Sequence, residues 1–599
     1  MGRAAYHLDL GRHAARLLPL LEALAALEEP TRQQVAQLRR RHPRADGGFF
    51  SSSQLIAAYR ALAPRQGWRR PAEEIARLLR RRPVRTASGV AVVAVLTRPH
   101  PCPGTCRFCP EPAGMPRSYL PEEPGAQRAV QQGFDPYRQM AIRLQALAAN
   151  GHGVDKVELS ILGGSWHAYP EAYRRWFVSR CLTALNHWPQ LCSADHPTAD
   201  GRAGWGEVEE ALASNDRAAS RCVGLTVETR PDLVTAAGLA SLRRLGVTRV
   251  QLGYQSLDDG ILQLASRGHT VVESRRATDL LRRAGFKILA HWMPNLPGAT
   301  PDSDRADFAR LFDDPWLRPD ELKIYPCTLL PGAALVEDWR RGAWRPYPHD
   351  VLVELLADCL AAVPPWCRVA RVVRDVPAPL VLAGNRRGNL RQDVERQLKE
   401  RGTPPREIRA RELRHAPLAG AEVVLSSRTY ETSAGREEFL EATTPSGWLV
   451  GFARLTLPSR PAPLEQLQGA ALLREVHVYG DVATLGRRDG NAQHRGVGRQ
   501  LVVGAATLAR VAGYPRLAVI SAPGTRTYYR RLGFGDGALY QYLHLAPTDG
   551  LDRGAGHDRQ DQPHGEVCAH PPVLAAGDRG GPQRPGGQTG QIGRAVRLA

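Results

Sequence analysis

Apolar runs and amphipathic stretches alternate through the middle of the chain. Gly89-Val-Ala-Val-Val-Ala-Val-Leu96 is continuous, apolar and β-branched, which predicts a strand covered on both faces. Further strands are predicted at Lys156–Leu162, Cys222–Glu228, Arg249–Gly253, Lys287–His291 and Glu321–Tyr325, with helical stretches such as Ala236–Leu245 and Ser274–Ala284 between them. Repeated strand–helix units imply a parallel sheet closed or nearly closed into an α/β barrel, whose chemistry belongs at the C-terminal strand ends. Gly163-Gly164, Glu228, Gln255, His291 and Tyr325 fall at or just past those ends.

Outside this region the pattern changes. Residues 1–82 are predicted helical and basic, with Leu17, Leu18, Leu21, Leu24 and Leu27 at helical spacing and a second helix from Pro71 to Leu79. The barrel is expected over 83–370, with 193–220 a polar excursion, followed by an arginine-dense linker over 371–415. Strands at Ala421–Ser426, Trp448–Leu457, Leu473–Tyr479 and Leu517–Ser521, with a helix Arg499–Ala512, predict a smaller α/β domain over 416–545. Residues 546–599 hold few large apolar side chains, and the expectation is disorder.

Composition narrows the class. The chain has 599 residues, enough for about three or four domains, and no apolar run long enough to span a membrane. The N-terminal leucines are interrupted by glutamates, which argues against a signal peptide. The ten cysteines form no disulfide framework and suit a reducing cytoplasm. The net charge of +20 is carried almost wholly by arginine and favours a polyanionic partner such as RNA. The run Arg80-Arg81-Arg82-Pro83 is a candidate nucleic-acid patch, although charge runs are often only solvated faces. Lysine occurs only at 156, 287, 323 and 399, which makes each one conspicuous in so arginine-rich a chain.

Two motifs carry chemistry. Cys102, Cys106 and Cys109 form a C-x₃-C-x₂-C clump directly after the first strand. Thiolates so spaced suit three irons of a [4Fe–4S] cluster with the fourth iron open, and a zinc knuckle completed by His100 is the other reading. The fourth iron of such a cluster is where radical-SAM enzymes chelate S-adenosylmethionine, and Phe108 before the last cysteine fits their usual pattern. Downstream, Gln493-x-x-Gly496-Val497-Gly498 opens a helix after a strand, where free N–H groups cradle a pyrophosphate. With the later strand and Tyr528-Tyr529-Arg-Arg-Leu-Gly-Phe534, this order matches the coenzyme-A site of GNAT-type acetyltransferases. Adjacent tyrosines point about 100° apart on a helix, so one of the two is expected in the core.

Together the strings resemble the catalytic subunit of Elongator, the tRNA wobble-uridine carboxymethyl synthase. The likeness runs from about Arg82 to Leu545. It includes Val154-Asp-Lys-Val-Glu158, Gly224-Leu-Thr-Val-Glu-Thr-Arg-Pro-Asp232, Leu252-Gly-Tyr-Gln-Ser256, His291-Trp-Met-Pro-Asn-Leu-Pro-Gly298, Arg371-Val-Val-Arg-Asp-Val-Pro377 and Glu475-Val-His-Val-Tyr-Gly480. The resemblance implies a radical-SAM partial barrel with a GNAT-type domain. It also implies a reaction in which a 5′-deoxyadenosyl radical activates the methyl group of acetyl-CoA for attachment to C5 of the wobble uridine. It assigns Cys102, Cys106 and Cys109 to the cluster, and Gly163 and Gly164 to S-adenosylmethionine, with Glu228 and Gln255 as further cofactor-binding candidates. Lys156 is assigned to acetyl-CoA at the barrel, while Glu475, Val476, His477, Val478, Gln493, Gly496, Val497, Gly498, Tyr528 and Tyr529 are the acetyl-CoA contacts or candidates in the second domain. Lys287, Lys323 and Tyr325 join Lys156 as candidate catalytic or substrate-handling groups, although a strand lysine also serves to pair a buried carboxylate such as Glu158. The basic N-terminal region is expected to bind tRNA, and a homodimer is an open possibility. The gap between the first two cysteines is shorter than in other members, and Arg406–Glu412 lacks the C-x₂-C that many carry. A lysine N-acetyltransferase with a structural cluster and a non-catalytic tRNA-binding subunit are the alternatives weighed against the enzyme.

Overall fold

The computed structural model describes residues 9–546, except 29–30, 45, 82–85, 87, 192–200, 414–421 and 481–495, together with 596–598. Seven parallel strands follow one another in chain order: β1 (Ala91–Leu96), β2 (Lys156–Leu162), β3 (Arg221–Thr229), β4 (Arg249–Gln255), β5 (Lys287–Trp292), β6 (Glu321–Ile324) and β7 (Arg368–Arg371). β1 and β7 are the two edges, so the barrel is an open half-barrel rather than a closed one. Its outer face is apolar: Val157, Leu159, Cys222, Leu225, Val250 and Leu252 are fully buried.

Register decides what faces the lumen. Glu158 pairs with Gly224, Thr226 with Arg249, and Glu228 with Gln251. Gly253 pairs with His291, and His291 in turn with Lys323. Paired residues point to the same side of a sheet and alternate residues share a face, so these polar side chains line one concave surface.

The second sheet runs β13-β14-β12-β11-β10-β9-β8-β15, made of β8 (Val424–Thr432), β9 (Gly435–Thr443), β10 (Leu449–Pro458), β11 (Ala470–Val478), β12 (Arg516–Val519), β13 (Gly535–Asp536), β14 (Gln541–His544) and β15 (Val596–Leu598). β15 lies within the stretch expected to lack structure, and pairs antiparallel with β8. The rest of the expected disordered tail from 547, and Gln493 and Arg82, lie outside the described residues. β11 and β12 run parallel only from Ala470↔Arg516 to Leu473↔Val519. Beyond that point the ladder stops, and the end of β11 borders the N-terminus of the helix Val497–Val511.

Two expectations change. The helix Trp205–Asn215 occupies part of the expected polar excursion, with Val208, Ala211 and Leu212 buried on the core. The expected linker contains the helix Leu390–Glu400, whose Leu390, Val394 and Leu398 belong to the barrel's hydrophobic core. The chain after it is pinned by ion pairs from Arg411 to Glu441 (2.6 Å) and from Arg368 to Glu412 (3.1 Å).

The N-terminal helices Leu10–Ala26, Arg32–Arg41, Ser52–Gln66 and Ala72–Leu79 enclose a small core of their own around Leu17, Leu21, Leu55, Tyr59 and Ile75. That unit meets the barrel at Gly151, where φ is +79° and a Cβ would lie 2.4 Å from the Ala76 carbonyl oxygen. Among the described residues no helix is long and apolar enough to cross a membrane.

Candidate active site

The cysteine loop leaves β1 and folds over the C-terminal end of the half-barrel. Arg107 N–H donates to the Ala265 carbonyl, and Leu335 N–H to that of Arg107. Cys106 is buried beside Phe108, Ile261, Leu296 and Leu329. Contact with the Cys109 thiol, then Arg267 and Arg230, brings the Cys106 thiol down to about 5 against its burial. Arg267 Nη1 lies 3.3 Å from Cys106 Sγ, while its Nη2 donates to the Gly253 carbonyl at 2.8 Å. A Cβ on Gly104 would stand 2.1 Å from Arg230 Nη1, so any side chain there would displace that guanidinium.

The donors fit an iron–sulfur cluster. Arg230 Nη1, Arg267 Nε and Gln255 Oε1 are buried without hydrogen-bond partners among the described residues, which marks polar space beside the thiols. No three acidic, histidine or cysteine side chains among the described residues converge on a single-ion site. A cube needs no such convergence, because each thiolate serves its own iron. His100 stacks on Tyr169 at 4.7 Å and its Nε2 is 2.9 Å from the Ala168 carbonyl, so it is not directed at the thiols. Gly163 and Gly164 sit at the end of β2, where a Cβ would strike Thr97 Oγ1 at 2.2 Å and Tyr169 Oη at 2.7 Å respectively.

Inside the lumen, the Gln251 amide oxygen accepts from Lys323 Nζ and lies 2.9 Å from His291 Nε2. His291 Nδ1 stands 3.8 Å from Glu228 Oε1. Burial, then Lys323, Arg267 and Arg374, keeps the imidazole neutral, and burial also raises the Glu228 carboxyl against the pull of the same cations. Tyr325 meets His291 edge-on at 5.5 Å.

Toward the N-terminal strand ends the lumen is crossed by Arg249, which pairs with Glu158 and, at 2.6 Å, with Glu321. Below it the second domain closes the barrel from beneath. Glu475 on β11 takes Lys287 Nζ at 3.0 Å from one side and Arg454 Nε at 3.0 Å from the other. Asp320, fully buried, meets Arg474 at 2.7 and 2.8 Å. His477 Nε2 lies 3.0 Å from the Ser88 carbonyl ahead of β1.

The structure therefore divides the four candidate catalytic residues. Lys323 and Tyr325 belong to the upper lumen. Lys156 and Lys287 head their strands at the opposite end, and Lys287 is engaged in an ion pair with Glu475 rather than with Glu158. Arg230, Gln251, Arg249 and Arg267 were not singled out from sequence; register alone reveals the strand pair, and nothing in the local pattern marks the other two.

The groove at the end of β11 is built as its glycines require. Gly496 caps the helix with φ +80°, Val497 is buried and offers only its backbone, and a Cβ on Gly498 would lie 2.8 Å from Tyr528 Oη and 3.6 Å from Val478 Cγ2. Tyr528 thus faces the helix N-terminus. Tyr529 is the core member of the pair, packed edge-on against Phe534 at 5.4 Å. Were acetyl-CoA the ligand of this groove, a Gly498→Val substitution would be expected to raise its dissociation constant at least about tenfold by crowding the backbone N–H groups at the helix start, with iron content unchanged. Calorimetric titration checks it.

Residues 100–312 match the Radical SAM superfamily, and 319–400 the Radical_SAM C-terminal domain. The chain is 42% identical over 469 residues to the tRNA uridine(34) acetyltransferase of Dehalococcoides mccartyi (strain CBDB1), covering 77% of this chain and 99% of that one. It is 37% identical over 478 residues to Elongator complex protein 3 of Homo sapiens, covering 76% and 84%. The solved structure of the archaeal Methanocaldococcus infernus Elp3 with an N-terminal deletion superposes with a TM-score of 0.63 at 33% identity, over 76% of this chain and 99% of that chain.

Proposed function

The chain belongs to the family of tRNA uridine(34) acetyltransferases and Elongator complex protein 3, and from that membership we propose that it converts the wobble uridine of tRNA to 5-carboxymethyluridine, with acetyl-CoA as the carbon donor. The observation that carries this reading is one lumen with a different site at each end. A three-thiol loop stands at the C-terminal strand ends, and a glycine-bordered helix N-terminus beside the strand that closes the other end.

Bound at Cys102, Cys106 and Cys109, a [4Fe–4S] cluster with S-adenosylmethionine supplies a 5′-deoxyadenosyl radical. Gly163 and Gly164, packed against Thr97 and Tyr169 at the end of β2, offer backbone groups to the S-adenosylmethionine, with Glu228 and Gln255 as polar groups above the lumen. Gly496, Val497 and Gly498 present N–H groups to the pyrophosphate of acetyl-CoA, and Glu475–Val478 and Tyr528 border its pantetheine. Lys156, heading β2 on the lumen face, is the lysine on the side of the thioester. Lys323 and Tyr325 handle the base. The surplus of arginine, with the basic helical N-terminal region, holds the tRNA backbone.

Anaerobic reconstitution with iron, sulfide, S-adenosylmethionine, acetyl-CoA and tRNA tests the reading, with nucleosides analysed by mass spectrometry. Carboxymethyluridine accompanied by 5′-deoxyadenosine is the expected result. Release of 5′-deoxyadenosine with no change in the tRNA would mean another substrate.

A further inference from the structure

The hydrogen-bond polarity of the upper lumen is fixed by one residue. Gln251 is 2% exposed, and its amide oxygen is the shared acceptor for Lys323 Nζ and His291 Nε2. An ammonium only donates, so the amide must present oxygen to it. The same oxygen then requires a proton on His291 Nε2, which leaves Nδ1 of the neutral ring with a lone pair. That lone pair faces Glu228 Oε1 at 3.8 Å. Two acceptors thus confront each other beyond hydrogen-bond distance, with the spare N–H groups of Lys323 beside them. His291 and Lys323 are register partners on neighbouring strands, so donor and acceptor stand side by side.

We propose that Lys323 and His291, held by Gln251, read the imide edge of a uracil base turned into the lumen. This rests on the reading of the protein as a tRNA uridine-modifying enzyme. Uracil offers a carbonyl oxygen to the ammonium and the adjacent N3–H to His291 Nδ1 or Glu228. Cytosine carries an amino group and a bare ring nitrogen at those positions, so donor meets donor and lone pair meets lone pair. Tyr325, edge-on to His291 at 5.5 Å with Lys323 Nζ 5.9 Å from its ring centre, supplies a wall for the base. A base reaching such a site leaves its stack, as enzymes acting on nucleobases require. His291 and Lys323 are therefore specificity-determining residues.

The test is anisotropy binding of the full, cluster-reconstituted chain to anticodon stem-loops bearing uridine, cytidine or N3-methyluridine at the wobble position. The wild type is expected to prefer uridine about tenfold or more over each of the others. His291→Ala is expected to shrink the preference over N3-methyluridine to within about twofold, and His291→Asn, which returns an acceptor near Nδ1, to restore part of it. Lys323→Met is expected to erase the preference over cytidine. Equal affinity of the wild type for all three RNAs overturns the inference while leaving the tRNA reading standing, and so does full discrimination in both His291→Ala and Lys323→Met. Failure to bind any stem-loop overturns the tRNA reading and the inference with it.

Discussion

Cys106→Ala is expected to leave a folded chain that no longer retains a four-iron cluster and yields 5′-deoxyadenosine only at background. Of the three loop thiols, Cys106 is the one buried, and the one in contact with both Cys109 and Arg267. Without it two thiolates remain, too few to anchor three irons of a cube. The fold should survive, because Cys106 sits in a small satellite cluster with Phe108, Leu296 and Leu329, apart from the main core. Iron and sulfide analysis, with chromatography of the nucleoside product, measures both halves of the expectation. Cys181→Ala and Cys222→Ala supply the contrast. Those thiols lie in the main barrel core, where burial raises both above the ordinary range, and their loss should leave iron content unchanged. Full iron retention in Cys106→Ala would remove the loop from the cofactor site.

Asp320→Asn is expected to destabilise the protein by about 3–5 kcal/mol, the range for breaking a buried ion pair. Its carboxylate accepts two bonds from Arg474 and one from the Ile288 N–H, with Arg454 Nη1 3.6 Å away. Burial by itself would raise this carboxyl, but Arg474 and Arg454 outweigh it and hold it far below the ordinary carboxylate range. The sign follows from linkage. A depressed folded pKa gives stability that is fully present above the unfolded value of about 4 and fades as the pH falls below it. The gap between wild type and variant should therefore stay constant from pH 5 to 8 and narrow under pH 4. Urea unfolding followed by tryptophan fluorescence reads that gap, and a gap that widened in acid would refute the assignment.

What the sequence reveals depends on how far apart the partners are. β1 to β6 are legible because each is a short apolar run bounded by helical spacing, and the cysteine clump and Gly496-Val-Gly498 are visible because their parts are adjacent. β9 is not legible. Its Glu437, Glu438 and Glu441 look like solvent-facing charges, yet all three are buried, meeting Arg474, Ser427 and Arg411. β7 is four residues long and flanked by arginines, too little to register as a strand. The same distance hides the role of Lys287. From sequence it is a lone lysine on a strand, and its counter-ion stands 188 positions later in another sheet. Local patterns therefore recover β1 to β6 and the two motif-bearing loops, whereas the division of candidate site residues between opposite ends of the lumen emerges only from register and docking.

The strand that carries Glu475 has a consequence for how this protein can be divided. It completes one domain's ligand groove and supplies the counter-ion for the other domain's lysine. Separated after residue 413, the first fragment would keep Lys287 and Asp320 stripped of their partners, and the second would expose Arg474 and Arg454 on a bare sheet. The two domains are thus not modules to be exchanged at a linker. A chimera bringing a foreign acyl-binding domain to this barrel would have to import matching charges at 437, 454, 474 and 475 before any question of chemistry arose.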